Sequence, residues 1–504
     1  MLRSTVTIDP ALALAEIDPR LYGSFVEHMG RCVYTGIHEP GHATADELGF
    51  RGDVAELVGE LGVPIVRYPG GNFVSGYNWE DGIGPVADRP VRLDLAWRSI
   101  ETNQVGLHEF AAWAKRVGTE PMMAVNLGTR GVDEARRLVE YCNHPGGTEL
   151  SDLRRKNGAE EPFGIKVWCL GNELDGPWQI GHKTAYEYGR LALEAGKVMR
   201  WVDPSIELVA CGSSNRRMPT FGSWEATILE ECYDTVDYLS LHSYSEERKG
   251  DRDSFLASGV ELDNFIEEAI ATCDYVRAKG RHRKRLSLSV DEWNVWYLTR
   301  YHEQPPQDWA HAPRLIEDTY SVVDAVVVGD LLISLLNHAD RVRIGCLAQL
   351  VNVIAPIRTE PGGPAWRQTT YHPFALTSAN GRGTVLRLAP SAPTHETSWL
   401  GEVPLLDAAA VVRPDGSVAV FAVNRSQTEP MALDLDVRPL ERAGAGWVAD
   451  HVALCDDDPE AVNSADQPDR VTPHTRESVA ADGGTAQVVL PPLSWNLITL
   501  RKAG

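Results

Sequence analysis

The feature that most constrains the fold is a unit repeated through the first three-quarters of the chain: a short apolar strand, a polar loop, an amphipathic helix. The strands fall at 21–28, 63–69, 121–127, 165–173, 207–213, 238–244, 286–292 and 342–352. Helical patterns lie between them, such as DVAELVGELG, where Asp53 is suited to the N-cap and Gly62 to the stop. Others begin at Gly106, Val132 and Thr184. Eight strands alternating with helices predict a (β/α)8 TIM barrel in preference to an open doubly wound sheet. The longest apolar stretch, YSVVDAVVVGDLLISLL from Tyr320, is interrupted by Asp324 and Asp330, so it reads as a buried helix and not a membrane span.

Beyond residue 378 the helical period disappears and short alternating runs take over. AAVVRPDGSVAVFAVN, with Pro414-Asp415-Gly416 at its turn, reads as a hairpin. The expected organisation is a barrel over 14–378 and an antiparallel, jelly-roll-like β-sandwich over 379–504. The N-terminal segment 1–13, which contains STVTID, adds a strand to the sandwich.

In barrels of this kind the active site lies at the C-terminal ends of the strands. There this chain places Glu27-His28, Arg67 through Asn72, Asn126, Asn172-Glu173, His242-Ser243-Tyr244, Asp291 through Asn294, and Gln349. An end built only for packing has no need of so many hydrogen-bonding groups. Two of the strands, IKVWCLGNELD and LSLSVDEWN, run apolar and then stop at a glutamate, Glu173 and Glu292. The fourth and seventh strands of a barrel face each other across its mouth. Paired carboxylates flanking a bond are the machinery of glycoside hydrolysis, one donating a proton while the other attacks or activates water. That chemistry calls for no metal and no organic cofactor. The long aromatic loop 296–313 follows the Glu292 strand and is expected to shape the sugar pocket.

Charge narrows the partners. With 48 basic and 71 acidic residues the formal net charge is −23, which argues against a nucleic-acid or anionic-membrane partner and fits a neutral substrate. The apolar run ALALA near the start is too short for a secretion signal, and the eight cysteines are scattered with no CxxC pair, so a cytoplasmic location is expected. His28, His38 and His42 are too irregularly spaced to suggest a zinc site. Gly70-Gly71 opens no helix and belongs to no GxGxxG, so it reads as a tight turn beside the pocket. Arg216-Arg217 and the basic RAKGRHRKR read as solvated loops.

The fuller motifs, LYGSFVEHMGRCVYTGI, VRYPGGNFVSGYNWEDGIGP, LGNELDGPWQIGH, LHSY and SVDEWNVWY, resemble glycoside hydrolase family 51, the α-L-arabinofuranosidases. The resemblance implies a retaining, exo-acting enzyme that releases terminal arabinofuranosyl groups from arabinan- or arabinoxylan-derived oligosaccharides. By the same resemblance Glu173 is the acid/base, Glu292 the nucleophile, and Asn172 the partner of the sugar 2-hydroxyl. Glu27, Asn72 and Gln349 bind the other hydroxyls, Arg67 and Tyr244 lie near the nucleophile, and Trp97 and Trp296 contact the sugar or its leaving group. A homo-oligomer, commonly a hexamer, is also implied. Related barrels share the carboxylate pair, so a β-xylosidase or an endo-glucanase is the alternative within the same chemistry. A metal-dependent sugar isomerase or a non-catalytic carbohydrate-binding protein is the alternative outside it.

Overall fold

The computed structural model describes residues 1–305, 307–440 and 446–503. Eight parallel strands close into a barrel: β1 (Gly23–Phe25), β2 (Ile65–Tyr68), β3 (Glu120–Ala124), β4 (Val167–Leu170), β5 (Glu207–Ala210), β6 (Tyr238–Ser245), β7 (Ser287–Val295) and β8 (Val342–Ala348). Each falls within or across one of the eight predicted strands. Alternation sorts their side chains. Ile65, Met122, Ala124, Val167, Cys169, Val209 and Ile344 fill the barrel interior, while Val66, Met123, Trp168 and Leu170 pack outward against the helices. Ile65 points inward, and so does Arg67 two residues later. The strand thereby delivers a guanidinium to the mouth of the barrel.

On β7 the alternation is broken. Ser289 pairs with Ser240 and Glu292 with His242, and on the other side Val290 pairs with Gly345 and Trp293 with Leu347. Against both neighbours β7 therefore carries one extra residue, a bulge at Asp291-Glu292. This irregularity lets two consecutive acids turn toward the same cleft.

The C-terminal part forms a seven-stranded and a three-stranded sheet. The N-terminus joins both. Leu2–Thr7 pairs in parallel with Met431–Asp436, an exception in an otherwise antiparallel arrangement, and Ala13–Glu16 pairs with Thr384–Leu386. The large sheet is apolar on both faces. Val418, Val420, Ile498 and Leu500 face the small sheet, whereas Ala419, Phe421, Trp495 and Leu497 belong to the core shared with the barrel. That second face receives the helix Val322–Asn337, buried from Val322 through Leu336. A Cβ on Gly329 would lie 2.0 Å from Trp495 Cδ1, so only glycine lets helix and sheet approach this closely. Among the described residues, no helix is long and apolar enough to cross a membrane.

Candidate active site

The carboxylates of Glu173 and Glu292 converge at the mouth of the barrel. Together with His242 they bring one donor atom each within 4.8 Å of one another. Glu292 is clamped: its Oε1 accepts from Arg67 Nη1 at 2.6 Å and its Oε2 from the Tyr244 hydroxyl at 2.8 Å. Arg67 Nη2 donates to Asn172 Oδ1 at 2.7 Å, and its Nε lies 3.5 Å from Asp291. Asn172 Nδ2 in turn donates to Asn72 Oδ1 at 3.3 Å. Gly71 makes the approach possible, since a Cβ there would sit 2.8 Å from Glu292 Oε1.

Glu173 is held differently. It sits just past β4 with φ of 43°, a left-handed backbone unfavourable for a non-glycine residue. Its Oε1 accepts from His242 Nδ1 at 2.8 Å, and its Oε2 from the indole N–H of the half-exposed Trp178 at 2.7 Å.

Electrostatics distinguish the groups. Burial pushes the Glu292 carboxyl up, and Glu173 adds to this; the His242 cation, Arg67 and the Tyr244 hydroxyl oppose it. Burial works against a charge on His242, but Glu292, Asp291 and Glu173 surround the ring and raise it to about 10. Asp291 is buried too, yet Arg67, His242 and Ser240 hold it below the usual carboxylate range. His242 is thus a cation locked between carboxylates, which suits the cluster to holding a proton rather than a metal ion.

A second wall lies on β8, β1 and β2. Glu27 Oε1 accepts from the Phe73 backbone N–H and from Trp97 Nε1, each at 2.9 Å, and Gln349 Nε2 approaches Glu27 Oε2 at 3.3 Å. Burial, reinforced by Glu292, pushes Glu27 up to about 8. Gln349 Oε1 and Trp296 Nε1 are buried and have no hydrogen-bond partner among the described residues, so they are polar atoms available to a ligand. Trp296 stands edge-on to the Tyr244 ring at 5.0 Å. The segment expected as a loop carries a short helix, Leu298–Glu303, and beyond it Gln307 Nε2 donates to the Trp97 carbonyl at 2.9 Å.

The structure brings all ten residues singled out in the sequence to this one end of the barrel. Sequence reasoning placed His242 and Asp291 at the active-site rim without giving them a role, and it passed over Trp178. The first two were visible at strand ends, in LHSY and DEWN, but nothing in one sequence reveals that an imidazole bridges the acids. The other features have local roles. His28 bonds Glu101 and Tyr68, Arg216 and Arg217 pair with Glu268 and Glu261, and the basic run is engaged through Lys279–Glu230 and His282–Asp234.

A closed barrel whose mouth presents two glutamates this close, one clamped by a guanidinium and a phenol, defines a two-carboxylate glycoside hydrolase. Comparison with known proteins narrows the class. Residues 57–265 match the α-L-arabinofuranosidase 1 domain and residues 291–494 the α-L-arabinofuranosidase C-terminal domain. An intracellular exo-α-(1→5)-L-arabinofuranosidase from Streptomyces lividans is 59% identical over 99% of this chain and 75% of its own length. An exo-α-(1→6)-L-arabinofuranosidase from Bifidobacterium longum is 52% identical over 99% of this chain and 97% of its own. The solved structure of a family 51 α-L-arabinofuranosidase from Bifidobacterium longum superposes with a TM-score of 0.94 at 45% identity, covering 99% of this chain and all of that one. The chain belongs to glycoside hydrolase family 51, the α-L-arabinofuranosidases.

Proposed function

We propose that this protein is a retaining exo-α-L-arabinofuranosidase in which Glu292 is the nucleophile and Glu173 the acid/base. The observation that carries the roles is the closeness of the two carboxylates. Retaining enzymes hold them about 5–5.5 Å apart, whereas inverting ones need roughly 6.5–9.5 Å to admit a water. Atoms of Glu173 and Glu292 within 4.8 Å of each other favour the retaining arrangement.

Glu292 attacks the anomeric carbon as the glycosidic bond breaks, and Glu173 protonates the departing oxygen. His242 Nδ1, 2.8 Å from Glu173 Oε1, holds that carboxyl in place for the transfer. Arg67 and Tyr244 hold Glu292 oriented and balance its charge until the covalent bond forms. Glu173 then takes a proton from water, which attacks the same carbon and restores the original configuration. Because Arg67 occupies Asn172 Oδ1, the amide N–H is the end available to the sugar 2-hydroxyl, an interaction that strengthens in the oxocarbenium-like transition state. Glu27, Asn72 and Gln349 would bind the remaining hydroxyls, with Trp97 and Trp296 against the ring. The buried wall of Glu27, Trp97 and Gln349 suits a terminal sugar better than a passing chain.

Short arabinan oligosaccharides with α-1,5 linkages are the proposed substrates, on the strength of the Streptomyces lividans relative. The relative named for the 1→6 linkage is nearly as similar, so linkage choice must rest on a few side chains on the leaving-group side. Arabinoxylan fragments are a second candidate substrate. A cytoplasmic location agrees with the Streptomyces lividans relative's being named intracellular. A homo-oligomer would cover the exposed Val91, Leu93 and Leu95; sedimentation of the full chain tests it.

The test is hydrolysis of an aryl α-L-arabinofuranoside by wild type, Glu173→Ala and Glu292→Ala, each with and without azide. Glu173→Ala should yield the α-glycosyl azide through a β-linked intermediate, and Glu292→Ala the β-glycosyl azide by direct displacement. Activity on aryl xylosides or soluble glucans, without arabinofuranoside cleavage, overturns the substrate. Mutants that keep most of their activity overturn the roles.

A further inference from the structure

We propose that the β-sandwich reaches into the substrate cleft and supplies a distal sugar platform, Trp399, which makes the enzyme sensitive to oligosaccharide length. This inference rests on the arabinofuranosidase reading above and concerns the leaving-group side of the same cleft.

Trp399 lies at the tip of a hairpin formed by Thr394–Thr397 and Gly401–Pro404, within the C-terminal portion of the chain. The hairpin leans onto the barrel. Ser398 hydroxyl bonds Asp251, and Arg425, next to the large sheet, donates to the Pro404 carbonyl at 2.8 Å. The indole is 42% exposed, which is unusual for a side chain gripped by neighbours on two loops. The Arg217 guanidinium lies 4.1 Å from its ring centre and that of Arg248 5.5 Å away. Arg217 is paired with Glu261 at 2.8 Å and Arg248 with Glu246 at 3.0 Å.

Placement on the barrel gives this group its role. The terminal-sugar wall is carried by β8, β1 and β2, through Gln349, Glu27 and Asn72. Glu173, which protonates the leaving oxygen, follows β4. Arg217 follows β5, and Arg248 follows β6, three residues beyond that strand's end. The loops after β4 and β5 are tied together, Ser214 donating to Asp175 through both its backbone N–H and its hydroxyl at 3.0 Å. The depression that Trp399 covers is also lined by Tyr244, the residue that bonds Glu292. It therefore adjoins the Tyr244–Glu292 contact on the β5 and β6 side, away from the wall on β8, β1 and β2.

The chemistry fits an uncharged sugar unit. Arg217 covers part of the indole, and the surface left exposed can take the C–H face of a saccharide ring, while the planar guanidinium and carboxylate groups around it match vicinal hydroxyls. Each arginine is already paired with a glutamate, so the site has no net appetite for an anion. A unit beyond the first leaving-group sugar is the natural occupant, because the first lies against Glu173 itself.

The experiment compares wild type, Trp399→Ala and Trp399→Tyr on an aryl α-L-arabinofuranoside and on linear α-1,5-linked arabinobiose, arabinotriose and arabinotetraose. For Trp399→Ala, the ratio of kcat/KM on the tri- and tetrasaccharide to that on the aryl glycoside should fall about tenfold, the scale of one lost aromatic contact, mostly through KM. Trp399→Tyr should recover most of that ratio. A loss equal on every substrate would mark Trp399 as merely structural, and an unchanged ratio would remove it from the cleft; either result overturns the platform while wild-type turnover keeps the arabinofuranosidase reading intact. A wild type inert on all four substrates overturns that reading, and the platform with it.

Discussion

Arg67 and Arg425 are each buried between two carboxylates, and they do different things. Arg67 lies at the mouth of the barrel between Asp291 and Glu292; Arg425 lies where the barrel meets the sandwich, between Asp330 and Asp407. Every nitrogen of Arg425 is engaged. Its Nε donates to the Leu256 carbonyl at 3.0 Å, Nη1 to Pro404, and Nη2 to Asp330 at 2.6 Å and Asp407 at 3.0 Å. Asp330, pushed up to about 7 by burial despite that partner, also accepts from the Gly259 backbone at 2.8 Å. Arg67 instead directs its strong bonds to Glu292 and Asn172, both facing the cleft, and its Nε has no close hydrogen-bond acceptor. Burial of an ion pair alone does not identify a functional site. What separates the two is whether the paired acid keeps a free face toward a ligand.

The largest effect should come from removing each arginine in turn. Arg67→Met should lower kcat/KM by about 10²–10³-fold, the scale for losing one preorganised charged donor. Its melting temperature should fall less than that of Arg425→Met, because Asp291 keeps Ser240 and His242, and Glu292 keeps Tyr244. Arg425→Met should lose about 3–5 kcal/mol of stability, the usual cost of stranding a buried charge, while the folded fraction keeps its kcat. Adding Asp330→Asn to Arg425→Met should restore part of the loss. If both arginine variants lose stability equally and activity equally, the distinction drawn between the two sites is wrong.

The glycines beside each arginine sharpen the same contrast with smaller effects. Gly71→Ala should place a methyl 2.8 Å from Glu292 Oε1 and 3.3 Å from Asn172 Nδ2, displacing the clamp. A roughly ten- to hundredfold fall in kcat is expected with little change in melting. Gly329→Ala drives its methyl into Trp495 and should cost about 1–3 kcal/mol by overpacking, read by chemical denaturation, with kcat retained.

Proton linkage offers a third probe. His242 is raised above its unfolded value to about 10, so its contribution to stability is fully present below pH about 6.5 and is lost as pH climbs through about 10. The melting-temperature advantage of wild type over His242→Gln should therefore be largest near pH 6 and shrink toward pH 10. An advantage that stays flat across that window would mean the ring is not held as a cation.

Much of this was legible before any coordinates. Strand–helix alternation was enough for the barrel, because each strand buries both faces and must read apolar, and the strands that end in Glu173 and Glu292 announced the acids. Four things were hidden for physical reasons. The bulge on β7 is a mismatch of register between strands, a property of pairing that no single segment encodes. His242 is a proton-holder only because three carboxylates from β4 and β7 surround it. The apolar run VAVFAVN reads as one strand of a sandwich, but its burial on both faces depends on the Val322–Asn337 helix lying against one of them. The large sheet also takes Ala13–Glu16, which the alternation of later segments gave no reason to place there.

The smallest effect tests the terminal-sugar wall against the interface. Trp97→Phe keeps the ring but removes the N–H that reaches Glu27 Oε1, leaving that oxygen only the Phe73 donor. Losing a donor pushes Glu27, already near 8, further up, so a larger share of the protein carries it neutral at neutral pH. KM should rise about fivefold, the scale of one net hydrogen bond, with kcat nearly unchanged because the Arg67–Glu292 contact does not involve this wall. Trp495→Phe, at a buried indole whose N–H has no partner among the described residues, should do the reverse: it loses only packing volume, so it should register in melting temperature and leave KM alone. The same substitution would then report ligand binding at the mouth of the barrel and cohesion between helix Val322–Asn337 and the large sheet at Trp495.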